Sequence, residues 1–235
     1  VSAEILVVRC GIVPYEQARE AQLRLAERRQ SGEIADVLLL LEHPPVYTRG
    51  RRSTAEELPM GREWYELQGI EVRDTDRGGR VTYHGPGQLV AYPIVSLRPY
   101  GDDVLAYVRG LERAMIEALG EHGVEAGLIE GQTGVWVGER KIGSIGVHVS
   151  RGVTTHGLAV NVSNDLQPFE WIVPCGIEGC RVTSLTRELG SEQSVDAFAE
   201  TVAARFGAVF ERAPLAADPT ELGLDLPPAT LGVPR

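Results

Sequence analysis

The chain has 235 residues, 43% of them apolar, enough for one large domain or two small ones, and no run of about 18 consecutive apolar residues crosses a membrane. A formal net charge of −10 argues against a nucleic-acid binder, which carries a basic excess. Three cysteines without repeated C-x-x-C pairs argue against a disulfide framework. The first residues, VSAEILVVRC, show neither a basic region nor a long apolar core of a leader, so a cytoplasmic enzyme is expected.

Residues 4–9 read as a first strand. Pro14 opens a helix running to about Arg29, as proline suits a first helical position. Val37–Leu41 is a continuous apolar run, hence a buried strand. Residues 50–68 are irregular, with a short helix around Trp64, and strands follow near 70–73, 80–84 and 88–97. Asp102 and Asp103 precede an amphipathic helix whose apolar stripe is Val104, Val108, Leu111, Met115 and Ala118. Gly134–Val137, Lys141–Val149 and Thr154–Val162 read as a meander, with the turn Ser150-Arg151-Gly152 between the last two strands. Ser194 caps a final helix with its stripe at Val195, Phe198, Val202, Phe206 and Val209. No linker divides the chain. The expectation is a single α+β domain, a mixed and largely antiparallel sheet flanked by helices, over residues 1–212, with a Pro-rich tail over 213–235.

The segment Arg77–Tyr92, RGGRVTYHGPGQLVAY, carries the strongest local signal. Gly78, Gly79, Gly85 and Gly87 permit sharp turns or a close approach to a ligand. Arg77, Arg80, Tyr83 and His84 supply donors, charge and a titratable ring. An apolar strand follows, and a ligand loop feeding a rigid strand is a common way to build a site; a glycine-rich hairpin with a capping histidine is the alternative. Cys175, in IVPCGI, is held between Pro174 and Gly176, which suits a presented nucleophile as well as a small buried hydrophobe. Cys10 and Cys180 read as buried thiols. Lys141 begins the small, apolar strand KIGSIGVHV, where a partly desolvated amine is prepared for proton transfer; a strand-end lysine reaching to water fits the same spacing.

Alternation places Lys141, Gly143, Ile145 and Val147 on one face of their strand. It sets Thr155, Gly157, Ala159 and Asn161 opposite His156, Leu158, Val160 and Val162 on the next. Gly143, Gly146, Gly157 and Ala159 leave either an apolar groove for an acyl chain or room for tight helix-on-sheet packing. His43 lies in a rigid HPP turn, and its role stays open; His122 ends a helix. His148 and His156 match no usual zinc spacing with Cys175 or Cys180, and no metal site is expected.

Together LEHPPVYTRGR, RGGRVTYHGPGQLVAYPI, KIGSIGV, THGLAVNV and IVPCGI resemble, in order and approximate spacing from about Leu38 to Leu185, the lipoyl(octanoyl) transferase family. That resemblance implies the catalytic fold of lipoate and biotin protein ligases. It implies Cys175 as acyl-thioester nucleophile and Lys141 as the residue that activates it. It also implies substrate contacts from Arg77, Gly78, Gly79 and Arg80, from Val81, Thr82, Tyr83 and His84, from Ser144, Ile145 and Gly146, and from Gly157, Leu158 and Ala159. The implied donor is octanoyl-acyl carrier protein. The implied acceptors are lipoyl domains of 2-oxoacid dehydrogenase subunits and the glycine-cleavage H protein, with no cofactor, nucleic acid or membrane. An ATP-dependent lipoate ligase and a silent acyl-binding module are the alternatives.

Overall fold

The computed structural model describes residues 3–173 and 180–226. The N-terminal half runs β1 (Ala3–Ile12), α1 (Tyr15–Gln30), β2 (Asp36–Glu42), β3 (Val46–Arg49), α2 (Arg62–Leu67), β4 (Glu71–Asp74), β5 (Thr82–His84) and β6 (Gln88–Ile94). Then come α3 (Val104–Glu121), β7 (Gly127–Ile129), β8 (Gln132–Val137), β9 (Arg140–Ser150), β10 (Val153–Asn161), β11 (Arg181–Val182), α4 (Leu185–Leu189), α5 (Val195–Val209) and β12 (Arg212–Ala217).

The described strands form one large mixed sheet in the order β12-β1-β2-β6-β10-β9-β8-β7, with β11 added beside β9, and a small sheet β4-β3-β5. β1 pairs in parallel with β2 and β12, and β11 with β9, while the run from β2 to β7 is antiparallel. This is the α+β arrangement expected from sequence.

β2 shows why its apolar run is unbroken. Leu38 and Leu40 face one core with Tyr107, Leu111, Met115, Phe198 and Phe206 of α3 and α5; Val37, Leu39 and Leu41 face another with Ala18, Ala21 and Leu25 of α1. A strand covered on both faces needs apolar residues at both parities. The small sheet has its own core, in which Tyr47, Tyr65, Val81, Tyr83 and Phe169 meet.

The meander forms as read, and its β9–β10 turn places Arg151 (φ 50°) and Gly152 (φ 77°) in the left-handed region, as a tight two-residue hairpin requires. Asp103 and Ser194 cap α3 and α5 through side-chain bonds to Ala106 N and Ala197 N. The stretch from Ala213, which lacks periodicity, enters the structure within β12, paired with β1.

Candidate active site

The glycine-rich loop is tied down by backbone bonds on two sides. Arg51 N donates to Arg77 O (3.0 Å), Arg52 N to Gly79 O (3.0 Å) and Gly78 N to Val147 O of β9 (2.9 Å). The loop therefore bridges the small sheet and the large one. Arg77 is buried, and its guanidinium donates to Thr48 O (2.7 Å), to Thr48 Oγ1 (2.8 Å) and to Gly78 O (2.9 Å). Such a planar fork holding backbone and hydroxyl oxygens fixes loop shape. Arg80 pairs with the buried carboxylate of Glu57 at 2.6 Å, and that carboxylate also accepts from Val81 N.

Beside the loop lies a cleft of about 630 Å³, inside the ~300–1,000 Å³ range of small-molecule sites. From the loop, Arg77, Gly78, Gly79, Arg80, Thr82 and His84 line it. From β9 and β10 come Ser144, Ile145, Gly146, Gly157, Leu158 and Ala159. Val104, Leu105 and Val108 of α3 add apolar surface, and Thr133 and Lys141 contribute polar groups. Of the residues singled out in sequence, Val81 and Tyr83 instead pack in the core of the small sheet.

Three of the small residues serve close approach of neighbouring segments. At Gly146 a β-carbon would lie 2.9 Å from Arg77 Cδ and 3.0 Å from Gly78 O, so its hydrogen lets the loop close over β9. At Gly143 it would meet Met115 Sδ at 2.9 Å, and at Gly157 it would meet Ala91 O at 2.2 Å. Those two serve tight packing, although Gly157 also borders the cleft.

Lys141 is buried. Its Nζ donates to Thr133 O at 3.0 Å and lies 5.2 Å from the centre of the Trp136 ring. A register slip between Val135 and Trp136, opposite Gly143 and Lys141, breaks strict alternation here; such bulges re-aim side chains. Gly134 (φ 119°) makes the space, since a β-carbon there would lie 2.8 Å from Lys141 Cε. Val182 of β11 pairs with Lys141, and Thr183 N donates to Lys141 O at 2.9 Å. Cys175 lies outside the described residues. The chain on its N-terminal side is held by Val173 N donating to Glu57 O at 3.1 Å. Burial pushes the Cys10 thiol up to about 12, which leaves it inert as a nucleophile.

Three histidines take fixed roles. His84 Nδ1–H donates to Gln88 Oε1 at 2.7 Å, and burial drives its pKa well below the ordinary value, so the ring is neutral. Gln88 Nε2 donates to Asn161 Oδ1 (2.8 Å), and Asn161 Nδ2 to Thr183 O (3.0 Å), linking the loop to the residue after β11. His43 Nδ1–H donates to Val13 O, and its Nε2 accepts from Tyr92 OH, both at 2.7 Å; it is a structural core residue. His156 has φ 57° inside β10, its N–H donates to Gln22 Oε1 at 2.6 Å, and its Nε2 bonds Asp76 Oδ1 at 2.9 Å. The bond from His156 holds Asp76 well below the carboxylate range. A non-glycine residue held in this strained conformation is typical of functional sites. Among the described residues no cluster of three or more His, Cys, Asp or Glu could hold a metal ion.

Sequence reasoning missed Tyr15, which reaches the cleft from α1, and Asp76, which directly precedes the glycine loop and whose partner His156 lies 80 residues further along the chain. It also missed Glu112, a buried carboxylate whose Oε1 accepts from Gly134 N at 3.0 Å. A signal for Glu112 existed: it lies four residues after Val108 and three before Met115, on the apolar stripe of α3.

The model of the family "Lipoyl protein ligase A/B catalytic domain" matches residues 14–207. An octanoyltransferase of Solibacter usitatus is 53% identical over 201 residues, 86% of this chain and 90% of the relative. One of Chloroflexus aggregans is 48% identical over 214 residues, 90% of this chain and 97% of the relative. Among solved structures, a bipartite lipoate protein ligase from Thermoplasma acidophilum superposes with a TM-score of 0.74 at 20% identity, covering 94% of this chain and 89% of that one, a likeness of fold.

Proposed function

We propose, from the premise that this chain belongs to the lipoyl protein ligase A/B catalytic domain family, that it moves an octanoyl group through a thioester on Cys175. Octanoyl transfer in protein lipoylation is its activity. The route through Cys175, the role of Lys141 and the particular partners are our reading. The donor is octanoyl-acyl carrier protein, and the acceptors are lysines of lipoyl domains, including those of 2-oxoacid dehydrogenases and the glycine-cleavage H protein. The setting is the cytoplasm, where thiols stay reduced.

In the first half-reaction the Cys175 thiolate attacks the donor's thioester carbonyl carbon. The bond to the carrier sulfur breaks, and the carrier thiolate leaves with the proton of the Lys141 ammonium, which is left as the neutral amine. In the second, the neutral ε-amine of the acceptor lysine attacks the octanoyl-enzyme. The carbon–sulfur bond to Cys175 breaks, an amide forms, and the proton shed by the amine passes to Lys141. As ammonium, Lys141 stabilises the thiolate; as amine, it accepts that proton. Thioester exchange is nearly thermoneutral and amide formation from a thioester is downhill, so no ATP is needed. The glycine loop, Ser144–Gly146 and Gly157–Ala159 enclose the acyl chain.

The observation that carries this reading is that buried Lys141 and the glycine loop meet on one largely apolar cleft. An ATP-dependent ligase would instead make octanoyl-adenylate. Incubation with octanoate and ATP should yield no adenylate and no acylated acceptor, while octanoyl-carrier protein alone should acylate a lipoyl domain. Adenylate formation with acceptor labelling would favour the ligase.

A further inference from the structure

Glu112 is only 1% exposed and sits on the apolar stripe of α3, yet its partner Arg109 (2.6 Å) has a side chain 57% exposed. An ion pair with Arg109 could form at the surface; burying the carboxylate is not needed for it. The buried end instead meets one particular peptide. Glu112 Oε1 accepts from Gly134 N at 3.0 Å, and Lys141 Nζ donates to Thr133 O at 3.0 Å. Thr133 C=O and Gly134 N–H belong to the same peptide group. The carboxylate and the lysine therefore hold its opposite ends.

We infer that Glu112 is a positioning residue for Lys141, acting through the Thr133–Gly134 peptide; this rests on the role of Lys141 proposed above. Two physical effects combine. First, glycine at 134 leaves this peptide free to rotate, because glycine tolerates either sign of φ. The Glu112 carboxylate selects the orientation that aims Thr133 C=O at Nζ. Second, an anion at the N–H end polarises the peptide and strengthens its carbonyl as acceptor, the cooperativity of linked hydrogen bonds in a low-dielectric interior. The same glycine makes the space that Lys141 occupies. A β-carbon at 134 would thus disturb both the lysine and the peptide that holds it.

Glu112→Gln keeps the shape but fails one partner: if its oxygen serves Gly134 N–H, its amide N–H₂ faces the Arg109 cation. Glu112→Met restores an apolar stripe and guards against a folding artefact. The readout is the rate of Cys175 alkylation by iodoacetamide near neutral pH, followed by peptide mass, with Tm measured in parallel. In the otherwise wild-type protein, Glu112→Met should slow alkylation about tenfold, as loss of an orienting partner typically does, and Glu112→Gln, whose oxygen can keep the bond from Gly134 N–H but not the charge, should slow it less. In a Lys141→Met background neither should slow it further, because the effect passes through Lys141. Equal slowing in both backgrounds would mean general structural damage and overturn the inference. So would no slowing, or a faster reaction, which is the sign expected if Glu112 acted on the thiol only as a nearby anion. If Lys141→Met itself reacts like wild type, the proposed role of Lys141 fails, and that outcome is read separately from the Glu112 comparison.

Discussion

Gly146 and Arg77 are packed so closely that a β-carbon on Gly146 would lie 2.9 Å from Arg77 Cδ. The glycine loop can rest on β9 only because that position lacks a side chain. Gly146→Val should push the loop outward and open the cleft. The expected cost is about 1–3 kcal/mol in urea unfolding, as for overpacking elsewhere. The larger effect should be on KM for the octanoyl donor. Steady-state kinetics beside an unfolding curve checks this; an unchanged KM would mean that the loop does not shape the acyl site.

Lys141 should act on the thiol as a cation and on the acceptor amine as a base. Lys141→Met should raise the pH at which iodoacetamide inactivates the enzyme. Lys141→Arg should keep part of the thiolate, yet fail in the amide-forming step, because guanidinium does not release its proton in this range. Pre-steady-state acylation and single-turnover transfer separate the two halves. If Lys141→Arg supports both halves equally, the base role is wrong.

The continuous Val37–Leu41 run, the stripe of α3 and the β8–β10 meander were legible because each obeys a single periodicity. β3 was not: Pro44 and Pro45 read as a rigid turn, although pairing begins at Val46. β7, β11 and α4 are three, two and five residues long, too short for a periodic signal. At the site, the loop and the lysine were visible as residue types. The alternation drawn through Lys141 and His156 was misleading, because a register slip lies beside the first and a positive φ re-aims the second. The partnership of Glu112 with the Thr133–Gly134 peptide joins segments that sequence spacing cannot bring together.

His43 links core packing to pH. Burial lowers its pKa from 6.5 to about 4. The unfolded chain therefore binds a proton below about pH 6.5 that the folded protein refuses until about pH 4. Its contribution to stability is full above pH 6.5 and falls as pH drops through that window. Between about pH 7.5 and pH 4.5 the loss from this one group should be roughly 2–3 kcal/mol. Urea unfolding across that range measures it. His43→Gln should be less stable near neutrality but flatter in pH; the same slope in the variant would assign the effect to other groups.

Arg51 and Arg52 are exposed beside the cleft, and Arg52 lines it. On a chain of net charge −10 they form a local positive patch, which under the proposed function would meet an acidic carrier. Reversing both to Glu should lower kcat/KM for octanoyl-carrier protein and flatten its salt dependence, since steering acts mainly on association. A small uncharged octanoyl thioester should be spared. Equal loss with both donors would place the arginines in the acyl site and contradict docking.

Whether Cys175 carries the acyl group is decided by the intact mass of the protein after incubation with octanoyl-carrier protein. Wild type should gain one octanoyl group, removable by neutral hydroxylamine as a thioester is, and chase with a lipoyl domain should return the original mass. Cys175→Ala should gain nothing. A hydroxylamine-sensitive octanoyl group that persists in Cys175→Ala, or acceptor labelling by that variant at the wild-type rate, would mean that Cys175 is not the acyl carrier.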